Sequence, residues 1–322
     1  MIIITRIPTT VLFLVLVVAS TLTCGAMKPK TSIQTARELA SYTLMSSLSA
    51  LTLTGLAYKS EASVVADYTA EMRNEMRDNY VYEEPSDFLL YLDNVVETKK
   101  GGDFEGVVAA MDKFATVFPM YALSPAKVKF LQSEVTKAKP SRILEIGSFF
   151  GYSAIHITKA LGPHSHLTCI EGNEQNAKVA QAVLNKAFGA GSEVLSRVKI
   201  ITSLSTPVLS QGSLQDVTGS DSALLDFVFL DHDKSFLLPD LKKLESRGWL
   251  SDQCIAVADN VDFPGAPDYL EYVNAPGSPK LSDGFVGHWT TTLHPFLFER
   301  VGFETGFKPK DDAMSLSRRS SE

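Results

Sequence analysis

The sequence predicts an α/β fold in which a seven-stranded, mostly parallel sheet carries helices on both faces. Beyond Pro140, short apolar runs alternate with longer amphipathic stretches, which is the pattern of right-handed strand–helix–strand units. Two of these runs, 227–230 and 254–258, are apolar without a break, as expected for strands buried on both faces. The chain therefore favours a parallel sheet with its helices packed above and below.

The individual elements follow from the period of the apolar residues and from the signals that start a helix. Apolar residues recur at helical spacing between 88 and 96 and again over 104–117, and these stretches predict two helices ahead of the sheet. Ser124 followed by Pro125 predicts the start of a third, because serine caps helices and proline fits their first position. Strands are predicted at 142–146, 167–171, 198–202, 226–230, 254–258, 288–300 and 313–317, with helices between them at 152–161, 174–188, 237–247 and 267–273.

The composition indicates an ordinary globular protein and disfavours a nucleic-acid partner. Of the 322 residues, 45% are hydrophobic and 21% are charged, and the formal net charge is −7. Proteins that bind nucleic acid usually present a basic face, which this acidic balance does not favour. Three cysteines do not make a disulfide framework, and neither they nor the six histidines have the spacing of metal ligands.

The N-terminal part of the chain is predicted to lie outside the main domain, which spans 86–322. Residues 7–27 carry no charge, and 11–19 are wholly apolar. This stretch fits either a signal peptide over 1–26 or a retained membrane anchor through 7–27, and the sequence leaves both open. Either one implies the secretory pathway or a membrane-anchored location. Residues 27–85 are rich in Ser and Thr and predict a linker or targeting extension that is partly helical.

Two acidic clusters follow apolar runs and lie 28 residues apart in the sequence. Asp231 and Lys234 follow the first run, and Asp259 and Asn260 follow the second. Open α/β sheets bind ligands at the carboxyl ends of their strands, and two carboxylates with an amide there suit Mg²⁺. The simpler alternative is that Asp231 and Asp259 only cap helices or turns, as aspartates often do.

A glycine-containing loop follows the first predicted strand and suggests a cofactor site. Gly147 and Gly151 have the spacing G-x-x-x-G, and the second strand ends in Glu171. Glycines allow a close backbone approach to a ligand, and an acidic residue at that strand end can accept hydrogen bonds from ribose hydroxyls. Together they favour an adenosine-containing cofactor over a tight turn beside a surface glutamate.

Three segments of the chain resemble catechol O-methyltransferases: 144–153, 229–234 and 258–268. The string Asp-Asn-Val-x-x-Pro-Gly-Ala-Pro-Asp in the third segment is highly specific, and the resemblance extends from about Phe88 to Asn274. It implies the class I methyltransferase fold, which is Rossmann-like. It also implies methyl transfer from S-adenosylmethionine to a hydroxyl with the assistance of Mg²⁺.

The resemblance also implies a role for each matching position. Asp231, Asp259 and Asn260 would hold Mg²⁺, and Lys234 would be the general base. Pro264 would form one wall of the acceptor cleft. The residues implied to bind the cofactor are Leu123, Gly147, Phe149, Ser153, Glu171, Ser205, Asp231 and His232.

Two departures from the family pattern bear on the acceptor. Asp233 stands where the family has a tryptophan that walls the cofactor and acceptor sites. His294 stands where the family has a glutamate that binds the second catechol hydroxyl, and Glu299 lies five residues away. The leading hypothesis is methyl transfer to a catechol-like vicinal diol. The alternatives are another small phenolic acceptor, or a non-catalytic protein of this fold that serves a membrane partner.

Overall fold

The computed structural model describes residues 85–117, 120–275, 287–296 and 312–321. The predicted signal or anchor segment, the extension that follows it through residue 84, and Glu299 lie outside these ranges. Within the described ranges, no helix combines the length and the apolar character that crossing a membrane requires. The structural account therefore concerns the predicted main domain.

The described residues form one sheet with helices before and between its strands. The helices are α1 (Pro85–Val95), α2 (Phe104–Val117), α3 (Pro125–Ala138), α4 (Tyr152–Ala160), α5 (Glu174–Phe188), α6 (Ser205–Gln211), α7 (Leu214–Thr218), α8 (Leu237–Ser246) and α9 (Pro267–Asn274). The strands are β1 (Arg142–Ile146), β2 (His166–Glu171), β3 (Val198–Thr202), β4 (Leu225–Leu230), β5 (Leu250–Ala258), β6 (Gly287–Phe296) and β7 (Asp312–Ser321).

The sheet has seven strands in the order β3-β2-β1-β4-β5-β7-β6. Strands β1 to β5 are parallel to one another, whereas β7 is antiparallel to both β5 and β6. The prediction of a seven-stranded, mostly parallel sheet is confirmed. Because β7 runs in the opposite direction, its first residue lies at the same sheet edge as the carboxyl ends of β1 to β5.

Two hydrophobic cores lie on the two faces of this sheet. Ile143 of β1 packs with helices α1 to α5, and the next residue, Leu144, packs with α6 to α9. This alternation follows from the two-residue period of a strand, and it places helices on both faces as predicted. Phe227 and Phe229 of β4 are fully buried, and burial of such a side chain contributes roughly 1.5–3 kcal/mol.

Strand β7 is longer than the hydrophobic pattern predicts, because it contains buried polar residues. Strand β7 was expected over 313–317 but spans Asp312–Ser321, and its Ser315 and Ser317 are fully buried. Ser317 Oγ lies 2.9 Å from Thr291 Oγ1 of β6, and Arg319 donates to the carbonyl of Leu250 at 3.0 Å. Hydrogen bonding replaces apolar packing in these positions, so the hydrophobic pattern ends before the strand does.

Candidate active site

The carboxyl ends of β4 and β5 bring the two acidic clusters to neighbouring positions. Leu230 and Ala258 are paired across the two strands, and Asp231 and Asp259 are the residues that follow them. The amide of Asp259 donates to the carbonyl of Leu230 at 3.0 Å, and that of Asp231 donates to Ile146 at 2.9 Å. Adjacent strands lie about 4.8 Å apart, so the two carboxylates share one sheet edge.

Lys234 lies in a short turn immediately after Asp231. Its Nζ donates to Oδ1 of Asp231 at 3.0 Å, and both side chains are largely shielded from solvent. Asp233 begins this turn by accepting from the amide and the hydroxyl of Ser235 at 3.0 and 2.7 Å. These bonds hold the pKa of Asp233 below its ordinary value, and its side chain is exposed. Asp233 therefore serves as the cap that shapes the turn carrying Lys234.

The second acidic cluster is joined to two further charged side chains, and three of the four side chains are buried. We call Lys127, Asp259, Asn260 and Asp312 the β5–β7 cluster. The Nζ of Lys127 lies 2.6 Å from Oδ1 of Asp259 and also donates to Oδ2 of Asp312. That same Oδ2 accepts from the amide nitrogen of Asn260 at 2.7 Å. Helix α3, β5 and β7 thus meet through charged groups that are almost completely buried.

The electrostatics of this edge suit a cation. Burial raises the pKa of Asp259 to about 7, and the charge of Asp231 raises it as well, while Lys127 acts in the opposite direction. For Lys127, burial would lower the pKa, but Asp259 and Asp312 raise it overall. Two carboxylates that disfavour each other's charge, beside an amide oxygen, form a donor set suited to a hard divalent ion.

Among the described residues, no cluster of three or more His, Cys, Asp and Glu side chains has the arrangement of a metal site. The two acidic clusters contribute the carboxylates of Asp231 and Asp259 and the amide of Asn260 as oxygen donors at this edge. The amide nitrogen of Asn260 already donates to Asp312, so its oxygen is the atom left to act as a ligand. The donor set therefore fits Mg²⁺ better than a softer ion such as Zn²⁺.

Backbone amides of the loop after β1 and of the turn after β2 hold the carboxylate of Glu171. Gly147 has a φ of +94°, and a Cβ there would lie 2.6 Å from the carbonyl oxygen of Asp231. Phe149 has a φ of +46°, and its amide donates to Oε2 of Glu171 at 2.7 Å. The amide of Asn173 donates to the other oxygen at 2.9 Å. The loop thus orients Glu171 at the sheet edge and brings β1 against the end of β4.

A buried carboxyl group that the sequence analysis missed lies below this loop. Glu145 is fully buried in β1, and it accepts from the hydroxyl of Ser153 and from Sγ of Cys169, the latter at 3.0 Å. Burial raises the pKa of Glu145 to about 7. A glutamate inside a strand that is buried on both faces is the sequence signal that identifies such a group.

The other positions implied to bind cofactor occupy different surroundings along the same edge. Leu123 is buried in the core just ahead of α3, and Ser205 is the first residue of α6, after β3. The Nε2 of His232 lies 2.8 Å from Oδ2 of Asp240 in α8. These residues belong to different elements, which converge where the parallel strands end.

Pro264 and His294, the two remaining residues considered for contact with the acceptor, lie in different surroundings. Pro264 is exposed in the turn Val261–Gly265, whose Phe263 amide donates to Asp312 at 3.0 Å. His294 lies within β6, opposite Met314, and its ring centroid is 4.4 Å from that of Phe130 in α3. The ring of His294 therefore packs on α3.

Lys127 and Asp312 are further residues of this edge that the sequence analysis missed. On α3 the buried residues include Lys127, Leu131 and Val135, so a lysine occupies the apolar stripe of the helix. A charged residue in such a stripe indicates a buried partner and was the available signal. Asp312 offered no comparable signal, because its partners lie 52 and 185 residues away in the sequence.

The chain is similar in sequence to known O-methyltransferases. Residues 107–245 match the model of an O-methyltransferase family. A protein of Mycobacterium tuberculosis named "Probable O-methyltransferase" is 36% identical over 185 residues, which cover 56% of this chain and 76% of that protein. Catechol O-methyltransferase of Bos taurus is 33% identical over 184 residues, which cover 56% of this chain and 64% of that enzyme.

A solved structure shares the fold. The O-methyltransferase of Bacillus cereus, crystallised in complex with SAH, superposes with a TM-score of 0.51 at 19% identity, covering 80% of this chain and 100% of that one. This likeness concerns the fold, whereas the M. tuberculosis relative shows the family through its sequence. The chain belongs to the O-methyltransferase family, the class I enzymes that take a methyl group from S-adenosylmethionine, and is an enzyme of this class.

Proposed function

We propose that this enzyme transfers the methyl group of S-adenosylmethionine to one hydroxyl of a catechol-like vicinal diol, with Mg²⁺ as the assisting ion. The observation that carries the proposal is the meeting of two acidic clusters at the ends of β4 and β5, with an amine 3.0 Å from the first carboxylate. Relatives named catechol O-methyltransferase support the acceptor class. The oxygen donor set supports the metal.

The cofactor would bind along the ends of β1, β2 and β3. Glu171 would accept hydrogen bonds from the ribose hydroxyls, since a carboxylate retains acceptor capacity beyond the two backbone amides that it already binds. Loop 147–153 would lie against the methionine and sugar portions. The positions proposed to line this site are Leu123, Gly147, Phe149, Ser153, Glu171, Ser205, Asp231 and His232.

Asp231, Asp259 and Asn260 would hold the metal. When bound, Mg²⁺ polarises the hydroxyls that it chelates and lowers their pKa. The protein's own contribution is to bring the acceptor oxygen into line with the sulfonium methyl. Holding two reactants in attack geometry can supply roughly 7–11 kcal/mol of the barrier reduction.

Lys234 would accept the proton of the attacking hydroxyl at its Nζ. Its hydrogen bond to Asp231 holds the amine beside a proposed metal ligand, which is where the acceptor hydroxyl has to lie. The turn capped by Asp233 determines the direction in which the lysine points. A proton transfer of this kind typically contributes about 10²–10⁴-fold to the rate.

The residues at the acceptor positions support a second candidate function. In it, the same proposed metal ligands and base serve methyl transfer to another small phenolic acceptor. His294 packs on Phe130, and Asp233 is an exposed cap, so neither resembles the glutamate and tryptophan of the family in chemistry. Pro264 would still form one wall of the cleft. A non-catalytic role beside a membrane partner, and attachment through residues 7–27, remain predictions.

The test is a turnover assay on a panel of catechols and monophenols, with and without EDTA, alongside calorimetric titration of S-adenosylmethionine. We expect cofactor binding, turnover of vicinal diols, and loss of turnover with EDTA that Mg²⁺ restores. Turnover of monophenols alone would favour the second candidate. Cofactor binding without turnover of any acceptor would contradict both and favour the non-catalytic role.

A further inference from the structure

We propose that Asp312 is a positioning residue for the metal site, because it orients the amide of Asn260 so that the oxygen faces the ion. This inference rests on the proposed metal-assisted function and deepens it. Asp312 lies outside residues 107–245, the range that matches the family model. It reaches the site because β7 begins at the edge where β5 ends.

The hydrogen bonds of Asp312 use both of its carboxylate oxygens. Oδ2 accepts from Lys127 and from Asn260 Nδ2, and Oδ1 accepts from the amide of Phe263 at 3.0 Å. The residue is 1% exposed, so water has little access to replace any of these donors. An acceptor-only group is required here, since three donors converge on it.

The bond to Asn260 has a direct consequence for metal binding. A side-chain amide has a donor end and an acceptor end, and a hard cation binds only the oxygen. With Nδ2 held by Asp312, rotation of the amide by half a turn would lose the hydrogen bond and present N–H groups to the ion. The carboxylate therefore selects one of the two orientations.

The backbone around Asn260 depends on the same carboxylate. Asn260 has a φ of +55°, a left-handed conformation that asparagine tolerates better than most residues. The turn that follows is tied to Asp312 through the Phe263 amide. Asp312 thus holds both the side chain of Asn260 and the chain leaving it, while Lys127 joins the same oxygen to Asp259.

Substituting Asp312→Asn introduces a donor where only acceptors fit. If the new NH₂ group faces Lys127 and Asn260, two hydrogen bonds are lost, including the one that orients Asn260; if it faces the Phe263 N–H, one is lost. Loss of a partner that orients a metal ligand typically weakens metal affinity about 10–100-fold. Loss of one negative charge acts in the same direction, so it requires a matched control.

The experiment measures Mn²⁺ affinity by electron paramagnetic resonance on the full chain saturated with S-adenosylhomocysteine. Asp312→Asn is expected to raise the Kd for Mn²⁺ about 10–100-fold. Asp262→Asn, which removes an exposed carboxylate two residues from Asn260, is expected to change it far less. Affinity for S-adenosylhomocysteine should stay the same in both variants, because neither Asp312 nor Asp262 is among the residues proposed to bind the cofactor.

A double substitution gives a result that a purely structural role would not produce. Combining Asn260→Asp with Asp312→Asn reverses the donor and the acceptor of this hydrogen bond and restores the total charge. We expect the double variant to bind Mn²⁺ more tightly than Asp312→Asn alone. If the change in Mn²⁺ binding free energy in the double variant equals the sum of the changes in the two single variants, the orienting role is overturned.

A measurement on the unaltered chain does not depend on any variant folding. The side-chain NH₂ protons of Asn260, assigned by their loss in Asn260→Asp, should exchange slowly with solvent because Asp312 binds them. Exchange at the rate of a free amide would overturn the inference. If the unaltered chain binds no Mn²⁺, the proposed function falls with it. If it binds Mn²⁺ and Asp312→Asn matches Asp262→Asn, only the inference falls.

Discussion

The two halves of the candidate active site are built in different ways. In the cofactor half, formed by the ends of β1 and β2, backbone amides within a short stretch of chain hold one carboxylate, and Phe149 and Glu171 are only 22 residues apart. In the metal half, formed by the ends of β4 and β5 and the start of β7, charged side chains hold one another, and Lys127 and Asp312 are 185 residues apart. The contacts of the first half join residues close in the sequence, whereas those of the second half join residues that are distant in the sequence.

This difference predicts how each half responds to change. Backbone hydrogen bonds to Glu171 remain when a neighbouring side chain is altered, because every residue except proline supplies an N–H. A buried ion pair behaves otherwise, since removing one partner leaves an uncompensated charge and is strongly destabilising. We therefore expect substitutions in the metal half to disturb several groups at once, and those in the cofactor half to act on single contacts.

The largest expected effect tests the independence of the two halves. Lys234→Met should lower kcat about 10²–10⁴-fold, since it removes the proposed base, while affinity for S-adenosylhomocysteine stays unchanged. Single-turnover kinetics and calorimetry measure the two quantities. Lys243→Met, an exposed lysine of α8, is the control and should retain activity. Equal rates for the two variants would remove Lys234 from the proposed role.

The buried carboxyl of the cofactor half should make stability depend on pH. The pKa of Glu145 is about 7 in the folded protein and near 4.5 in the unfolded chain, so the folded state binds the proton more tightly. The free energy of unfolding should therefore fall as pH rises from 4.5 to about 7, by about 3 kcal/mol from this group. Glu145→Gln should abolish this part of the slope in urea unfolding. Identical slopes in the two proteins would contradict it.

Glu171→Gln should weaken the cofactor half without affecting the metal half. The amide would turn one N–H toward a backbone N–H and would lose the charge that strengthens hydrogen bonds to ribose hydroxyls. Hydrogen bonds to charged groups are worth about 1.5–3 kcal/mol, so affinity for S-adenosylhomocysteine should fall roughly 10–100-fold. Mn²⁺ affinity of the chain should remain at its original value. A parallel loss of both affinities would show that the halves are coupled through Glu171.

Gly147→Ala should disturb both halves, because this residue touches both. Its φ is +94°, and an added Cβ would meet the carbonyl oxygen of Asp231 at 2.6 Å. Gly191→Ala is the control, since it has a φ of +75° with open space around it. Left-handed backbone costs about 1–2 kcal/mol for a residue with a Cβ, and urea unfolding should show a larger loss at Gly147. Equal losses would mean that the contact with β4 relaxes freely.

The smallest expected effect is at Asp233. It distinguishes a residue that only caps the turn carrying Lys234 from one that also contacts the acceptor. Asp233→Ala should lower the free energy of unfolding slightly, because it removes the hydrogen bonds to Ser235. Asp233→Asn keeps an acceptor oxygen and should lose much less. The KM for the acceptor should remain unchanged in Asp233→Asn. A large change in that KM would identify Asp233 as part of the acceptor wall.

The sequence by itself determined the order of the strands along the chain, most of the helices and the positions of the two acidic clusters, but it did not predict α6 and α7. Apolar periodicity predicted β1 and β3 and helices α2 and α5 at their observed limits, because these elements contain continuous or regularly spaced apolar residues. The glycine loop and Glu171 were also visible, since a loop and the next strand end are close in the sequence. Local chemistry was sufficient wherever the partners were near in the chain.

Only the tertiary structure decided what surrounds those clusters. Lys127 lies in the apolar stripe of α3, and Asp312 is the first residue of β7, which contains several polar residues. The ring of His294 packs on α3. The physical reason is that a buried charge is stable only with a partner, and nothing in the local sequence identifies a partner from a distant strand. The sequence predicts which residues are the proposed metal ligands. The pairing of β7 with β5 brings Asp312 to the side chain of Asn260 and so orients its amide.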